Sequence, residues 1–300
     1  MPLFDVFATS PTLFVGACFV VGLLVGSFLN VVIHRLPIML ERRWREECAS
    51  LATPGASEAP RSEPAFNLIV PRSACPACQA PITAWQNIPL VSYAFLRGRC
   101  AACGAPISVR YPLIELITAV LSAAVALTFG FGLAAAGALA LTWFLIALTF
   151  IDIDHQLLPD DLTLPLLWLG VLLSLWAGGT ADSIPVGLAS SVGGAIAGYV
   201  SLWSVYQLFR LATGKEGMGY GDFKLLAALG AWLGWQMLLP IVLVAAAVGA
   251  IFGGLMIALK GRDRASPVAF GPYLATAGWL MMLFGHDLVR RYLGLFSAHP

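Results

Sequence analysis

From Thr12 to Ile33 the chain runs 22 residues without a charged side chain. As a helix rising about 1.5 Å per residue, such a stretch covers the roughly 30 Å hydrocarbon layer of a bilayer. Inside lipid every backbone N–H and C=O must find a partner within the protein, which leaves helices or closed barrels as the only spanning structures. Long uninterrupted apolar runs, as opposed to alternating ones, select the helix. Further runs of this kind give a predicted set of spans at 12–33, 113–129, 131–151, 162–177, 184–209, 223–235, 240–259 and 268–286. The predicted fold is therefore an all-α polytopic membrane protein of about eight transmembrane helices, with the lipid bilayer as its solvent. With 59% hydrophobic and 11% charged residues the composition suits no soluble class, and a formal net charge of +1 offers nucleic acid no electrostatic footing.

The basic residues orient these spans, because Lys and Arg collect in cytoplasmic loops. No Lys or Arg precedes Arg35, so the first run lacks the basic segment of a cleaved signal peptide and reads as a retained helix with its N-terminus outside. Of the 17 Lys and Arg residues, nine then fall in the 34–112 loop, three at 210–224 and three at 260–264, all on the cytoplasmic side. Arg290 and Arg291 are the two exceptions. The domains expected are a first transmembrane helix at 1–36, a cytoplasmic linker and module at 37–112, and a membrane core at 113–300.

Two acidic stretches lie at span boundaries. One is Gly219-Tyr220-Gly221-Asp222, where a Gly-rich loop runs into an apolar segment; the other is Asp152-Ile153-Asp154 at the end of an earlier span. Two predicted crossings separate them, so both belong at the cytoplasmic end. Ionisable residues at membrane depth mark function. Two carboxylates held together in a partly dry site tend to share one proton, so that one serves as base and the other as acid, an arrangement able to activate water against a peptide carbonyl. Residues two apart on a helix point to roughly opposite sides, so Asp152 and Asp154 are not both expected to face Asp222. Gly219 and Gly221 leave room for close approach of a backbone or extended peptide, and Lys224 lies in the same stretch. Ordinary interfacial acids paired with Lys224 or Lys215 are the plain alternative. A proton-coupled transporter would also use membrane carboxylates, and a non-catalytic scaffold would use neither. Asp160 and Asp161, just after Pro159, suit the capped and acidic first turn of a helix.

The loop between the first two spans carries Cys75-Pro76-Ala77-Cys78 and Cys100-Ala101-Ala102-Cys103. Paired C-x-x-C knuckles are a zinc pattern: four thiolates close a tetrahedral shell and leave no open position for water, so Cys75, Cys78, Cys100 and Cys103 are expected to hold structural Zn2+. Cys18 and Cys48 read as unpaired thiols. The charged stretch at 41–47 reads as an interfacial helix, and the Ala/Pro/Ser/Glu-rich remainder to 71 as a mobile linker.

In order and spacing the chain resembles the bifunctional bacterial type IV prepilin leader peptidases, membrane aspartic proteases of the GxGD class. The residues that carry this are Gly26-Ser27-Phe28-Leu29-Asn30 through Pro37, both cysteine knuckles, Arg97-Gly98-Arg99-Cys100, Arg110-Tyr111-Pro112-Leu113-Ile114-Glu115, Ile151 to Asp160, and Gly219 to Lys224. The resemblance implies a catalytic pair at Asp152 and Asp222, which chooses Asp152 over Asp154. It implies cleavage of the basic leader from prepilins or type II secretion pseudopilins at the cytoplasmic face of the inner membrane. N-methylation of the new terminus from S-adenosylmethionine follows, a step associated with the tetracysteine module. No Gly-rich dinucleotide fingerprint follows a strand, and Gly98 and Arg99 are the only cofactor-site residues suggested. Gly98-Arg99 reads equally as a turn into Cys100, and Glu115 equally as inward-facing or as the cap of its own helix.

Overall fold

In the computed structural model, residues 2–52, 65–83, 85–176, 186–215, 217–260 and 269–297 are described. They form α-helices with two short 3-10 turns and no extended strand. Each predicted span corresponds to one helix: α2 (Pro11–Ala52), α4 (Arg110–Phe129), α5 (Leu133–His155), α6 (Asp160–Ser174), α7 (Leu188–Thr213), α8 (Tyr220–Leu233), α9 (Leu238–Lys260) and α10 (Gly271–Ser297). An eight-residue helix α1 (Pro2–Thr9) and a one-turn helix α3 (Val91–Phe95) were not expected. Among the described residues five helical stretches are long and apolar enough to cross a bilayer, within α2, α4, α5, α7 and α9. The basic loop predicted at 260–264 lies, after Lys260, outside the described residues.

The chain divides into two compact units. The unit Val15–Ala123 holds most of α2, the knuckles and most of α4. Its two long helices run antiparallel at close range because Gly22 and Gly26 of α2 lack side chains where Ala119 and Glu115 of α4 pass; a Cβ on either glycine would meet an α4 Cα at 2.7 Å. Asn30 continues the contact, donating from Nδ2 to the Tyr111 carbonyl at 3.2 Å. The separate interfacial helix expected at 41–47 is instead the continuation of α2, which runs through Pro37 to Ala52 and carries a Glu41–Arg45 pair four residues apart. Residues 53–64 of the expected linker lie outside the described residues. Its last residues are pinned rather than free. Arg35 is buried and donates to the carbonyls of Asn67 at 2.9 Å and Pro71 at 2.7 Å. Arg35 and Arg42 both lie over the ring of Phe66.

The second unit, which takes in Ala124 to the C-terminus, is built around α8. Of its 14 residues, Asp222, Phe223 and everything from Leu225 to Leu233 are buried. A helix apolar all round must be surrounded by protein or lipid, and α8 packs chiefly against α7, α6 and α10. At about 21 Å it is shorter than the hydrocarbon layer; being enclosed by longer helices, it needs no length of its own. Gly194 and Gly198 of α7 let the two backbones close up, since a Cβ on either would strike the main chain of α8 at Gly230 or Leu226. At the far end Trp232 fills space left by Gly137 and Gly170 and donates from Nε1 to the Leu166 carbonyl at 2.9 Å.

Candidate active site and metal centre

The motif Gly219-Tyr220-Gly221-Asp222 is not a loop leading into a helix but the helix start itself. Gly219 is the N-cap of α8, with extended backbone, and Asp222 stands three residues on. An acid at that position complements the helix dipole and can reach back to the cap N–H, and the Asp222 carboxylate does accept from Gly219 N–H. Asp152 arises differently. It lies one turn before the end of α5, where an acid faces the wrong end of its own helix dipole. The start of α10 offsets this: the N–H of Gly271 is directed at the Asp152 carboxylate, and a Cβ at residue 271 would sit 2.5 Å from Asp152 Oδ2. Gly271 and Leu158 were not singled out from the sequence. The Gly-Pro step at 271–272, opening the last apolar run, is a helix-start signal that could have directed attention to Gly271.

Asp152 and Asp222, 5% and 7% exposed, line one cavity of about 480 Å³ with Gln156, Met218, Gly219 and Phe270. They are close enough for Asp222 to feel the charge of Asp152. Asp152 Oδ2 and Asp222 Oδ1 are buried and make no hydrogen bond. Buried carboxylate oxygens without a partner in the protein are uncommon, and these two are free to bond a water or a ligand in the cavity. Asp154 is exposed and does not line the cavity, as its two-residue offset requires.

The two motif glycines have different reasons. At Gly221 a Cβ would meet Leu158 Cβ at 2.7 Å, so its missing side chain is filled by the protein's own α5–α6 connection. At Gly219 the nearest atom to a Cβ would be Asp222 Oδ2, at 3.9 Å, and the space belongs to the cavity. Lys224 does not pair with Asp222; its Nζ meets both carboxylate oxygens of Asp160, at 2.6 and 2.7 Å. Asp160 and Asp161 occupy the first turn of α6, as expected from the dipole, but the cap residue is Pro159 and no side chain caps the helix.

In the other unit the sulfurs of Cys75, Cys78, Cys100 and Cys103 lie within 4.8 Å of one another. Cys75 and Cys103 are 3.9 Å apart, near the roughly 3.8 Å edge of a tetrahedron with metal–sulfur bonds of about 2.3 Å. The donor set can hold a metal ion. The knuckles are built alike. Cys75 N–H bonds the Ala80 carbonyl and Gln79 N–H that of Cys75; 25 residues on, Cys100 bonds Ala105 and Gly104 bonds Cys100. Antiparallel bridges, Ala74 with Pro81 and Arg99 with Pro106, close both hairpins, and Gln79 and Gly104 take the same left-handed turn. Backbone N–H groups of Cys103 and then Ala102 stabilise the Cys100 thiolate and pull its pKa down to about 6.

Gly98 belongs to this hairpin. Its φ is +68°, its N–H bonds the Tyr93 carbonyl, and a Cβ would meet the Tyr93 hydroxyl at 2.9 Å. Arg99 beside it is exposed. Glu115 faces inward and does not cap its own helix: buried on α4, it accepts the N–H of Leu90, the N-cap of α3, at 2.9 Å.

Comparison with known proteins adds the family context. The model of the Bacterial Peptidase A24 N-terminal domain matches residues 20–129, and that of the Type IV leader peptidase family matches 139–254. The chain is 56% identical over 286 residues to an Aeromonas hydrophila protein named prepilin leader peptidase/N-methyltransferase, covering 95% of this chain and 96% of that one. Proteins of the same name from Aeromonas salmonicida (55% over 283 residues, 94% and 95% covered) and Pseudomonas aeruginosa (52% over 293 residues, 98% of each) are similarly related. No solved structure matches.

Proposed function

The chain belongs to the type IV leader peptidase family, and from that premise we propose that it removes the leader peptide of type IV prepilins or type II secretion pseudopilins and then N-methylates the new terminus. The observation that carries the peptidase reading is the pair of buried carboxylates, each with an unbonded oxygen, on the wall of one cavity.

With one proton between Asp152 and Asp222, the ionised member takes a proton from a water held between them. The water oxygen attacks the scissile carbonyl carbon, and the protonated member gives its proton to the carbonyl oxygen. The tetrahedral species collapses as the C–N bond breaks and a carboxyl proton passes to the departing nitrogen. Gly271 N–H and Gly219 N–H hold the two carboxylates in orientation. Gly219, with no side chain over the cavity, leaves space for an extended substrate segment.

The four cysteines are assigned to structural Zn2+, which would hold the two hairpins together and, with its shell closed by protein, offer no site for water. S-adenosylmethionine, when bound, supplies the methyl group. Gly98 and Arg99 stay as the sequence-based candidates for that half of the reaction; since Gly98 turns the chain into Cys100, substitutions there act partly through the knuckle. The protein is assigned to the inner membrane as a multi-pass protein, with aspartates and cysteines on the cytoplasmic side. No observation favours the transporter or scaffold alternatives.

The test is a reaction of purified protein with a prepilin and S-adenosylmethionine, followed by intact mass. Loss of the leader and gain of one methyl group are expected, with cleavage absent in Asp152→Ala and Asp222→Ala and retained in Asp154→Ala. Full cleavage by Asp152→Ala would overturn the assignment.

A further inference from the structure

Between the knuckles the chain displays apolar side chains where a water-facing loop would bury or omit them. Trp85 is 80% exposed and Phe95 84%. In α3, Val91 and Phe95 are four residues apart and so share one face, and both are exposed. The opposite side of this segment is attached: Leu90 N–H is held by Glu115, and Tyr93 packs on Gly98.

The attachment fixes a depth. Glu115 lies five residues into α4 from Arg110, about 7.5 Å along the axis, and Gly26 of α2 abuts its Cα. Around this level the outward residues of the two helices are themselves apolar and exposed: Leu24 and Phe28 on α2, Leu113 and Leu116 on α4. On helices long and apolar enough to cross a bilayer, exposed apolar positions such as these suit contact with lipid. The exposed face of α3 thus begins beside a lipid-facing surface, at the depth where amphipathic elements sit between headgroups and acyl chains. The charge pattern points the same way. From 65 to 114 there is no Asp or Glu, while Arg72, Arg97, Arg99 and Arg110 supply positive charge; Arg97 and Arg99, just after α3, are exposed.

We propose that the segment from Trp85 to Arg99 is an interfacial membrane element: Trp85, Val91 and Phe95 enter the leaflet beside α2 and α4, and Arg97 and Arg99 meet acidic phospholipid headgroups. The module would then be held to the membrane by its own inter-knuckle segment as well as by the helices at either end. This stands whether or not the proposed enzymatic reading does.

The experiment uses the full chain in nanodiscs containing acidic phospholipid, with p-benzoylphenylalanine placed at position 95 or, separately, at 91. Position 28 is the lipid-facing control and position 47, in the charged part of α2, the aqueous one. After irradiation, intact mass reads lipid adducts, and circular dichroism verifies that each protein is folded. Adduct at 95 or 91 comparable to that at 28 and well above 47, reduced when acidic lipid is replaced by neutral lipid, is expected. Adduct at 28 with none at 95 or 91 overturns the proposal. So does adduct that moves from lipid to a prepilin when one is added, since the face would then be a substrate surface.

Discussion

Lys224 Nζ lies 2.6 and 2.7 Å from the two carboxylate oxygens of Asp160, tying the first turn of α8 to the first turn of α6. These turns flank the site, with Asp222 two residues before Lys224 and the Asp152-bearing end of α5 just upstream of Asp160. The pair is partly exposed, at 28% and 53%, so its direct stability contribution is at most about 1 kcal/mol. Asp160→Asn is expected to leave thermal unfolding almost unchanged yet to slow leader cleavage several-fold through kcat. The exchange of charges in Asp160→Lys with Lys224→Asp should recover part of it. Unaltered kcat in Asp160→Asn would show that the tie has no positioning role.

Gly219 and Gly221 should respond differently to the same substitution. Gly221→Ala drives a methyl into the Leu158 Cβ and should cost about 1–3 kcal/mol as an overpacked contact, with relief when combined with Leu158→Gly, which removes the Cβ that alanine would keep. Gly219→Ala meets nothing nearer than 3.9 Å and should fold normally, so any loss of cleavage there reports crowding of the cavity. Thermal unfolding set beside leader cleavage for the three variants tests this; equal destabilisation by both alanines would contradict it.

A proton shared by two carboxylates makes cleavage depend on pH in both directions. Activity should fall at low pH, when both are protonated and no base remains, and at high pH, when both are ionised and no acid remains. Initial rates of leader removal across pH, with membrane integrity held constant, should trace a bell. A rate that rises to a plateau without an alkaline limb would argue for a single essential carboxylate.

Metal in the knuckles should titrate out with acid, because bound cysteines must be thiolates. Backbone N–H groups pull the Cys100 pKa down to about 6 while Cys103 in the same cluster is pushed up to about 11, so the thiols lose and gain protons as a set rather than one by one. Protein purified without chelator should contain one zinc per chain by elemental analysis. Cys103→Ser should lower that content and impair methylation more than cleavage. Full methylation by metal-free protein would remove zinc from the account.

Much of this was readable in the chain because it depends on local pattern. The uncharged run from Thr12 to Ile33 imposes a helix in lipid whatever surrounds it. C-x-x-C pairs at 75–78 and 100–103 place thiols at ligand spacing by backbone geometry alone, and two-residue spacing already sets Asp152 and Asp154 on different sides. Tertiary structure decided what depends on neighbours far along the chain. Leu158 filling the space at Gly221, Gly271 meeting Asp152, Lys224 choosing Asp160, and Leu90 bonding Glu115 each join segments between 25 and 119 residues apart. No periodicity records such pairings. They are set by which helices pack together, and that is decided by where glycines such as Gly194 and Gly230 let backbones touch. Asp152 is a held acid on the wall of a cavity, rather than a lone one at an unfavourable helix end, because packing brought the first turn of α10 to its carboxylate.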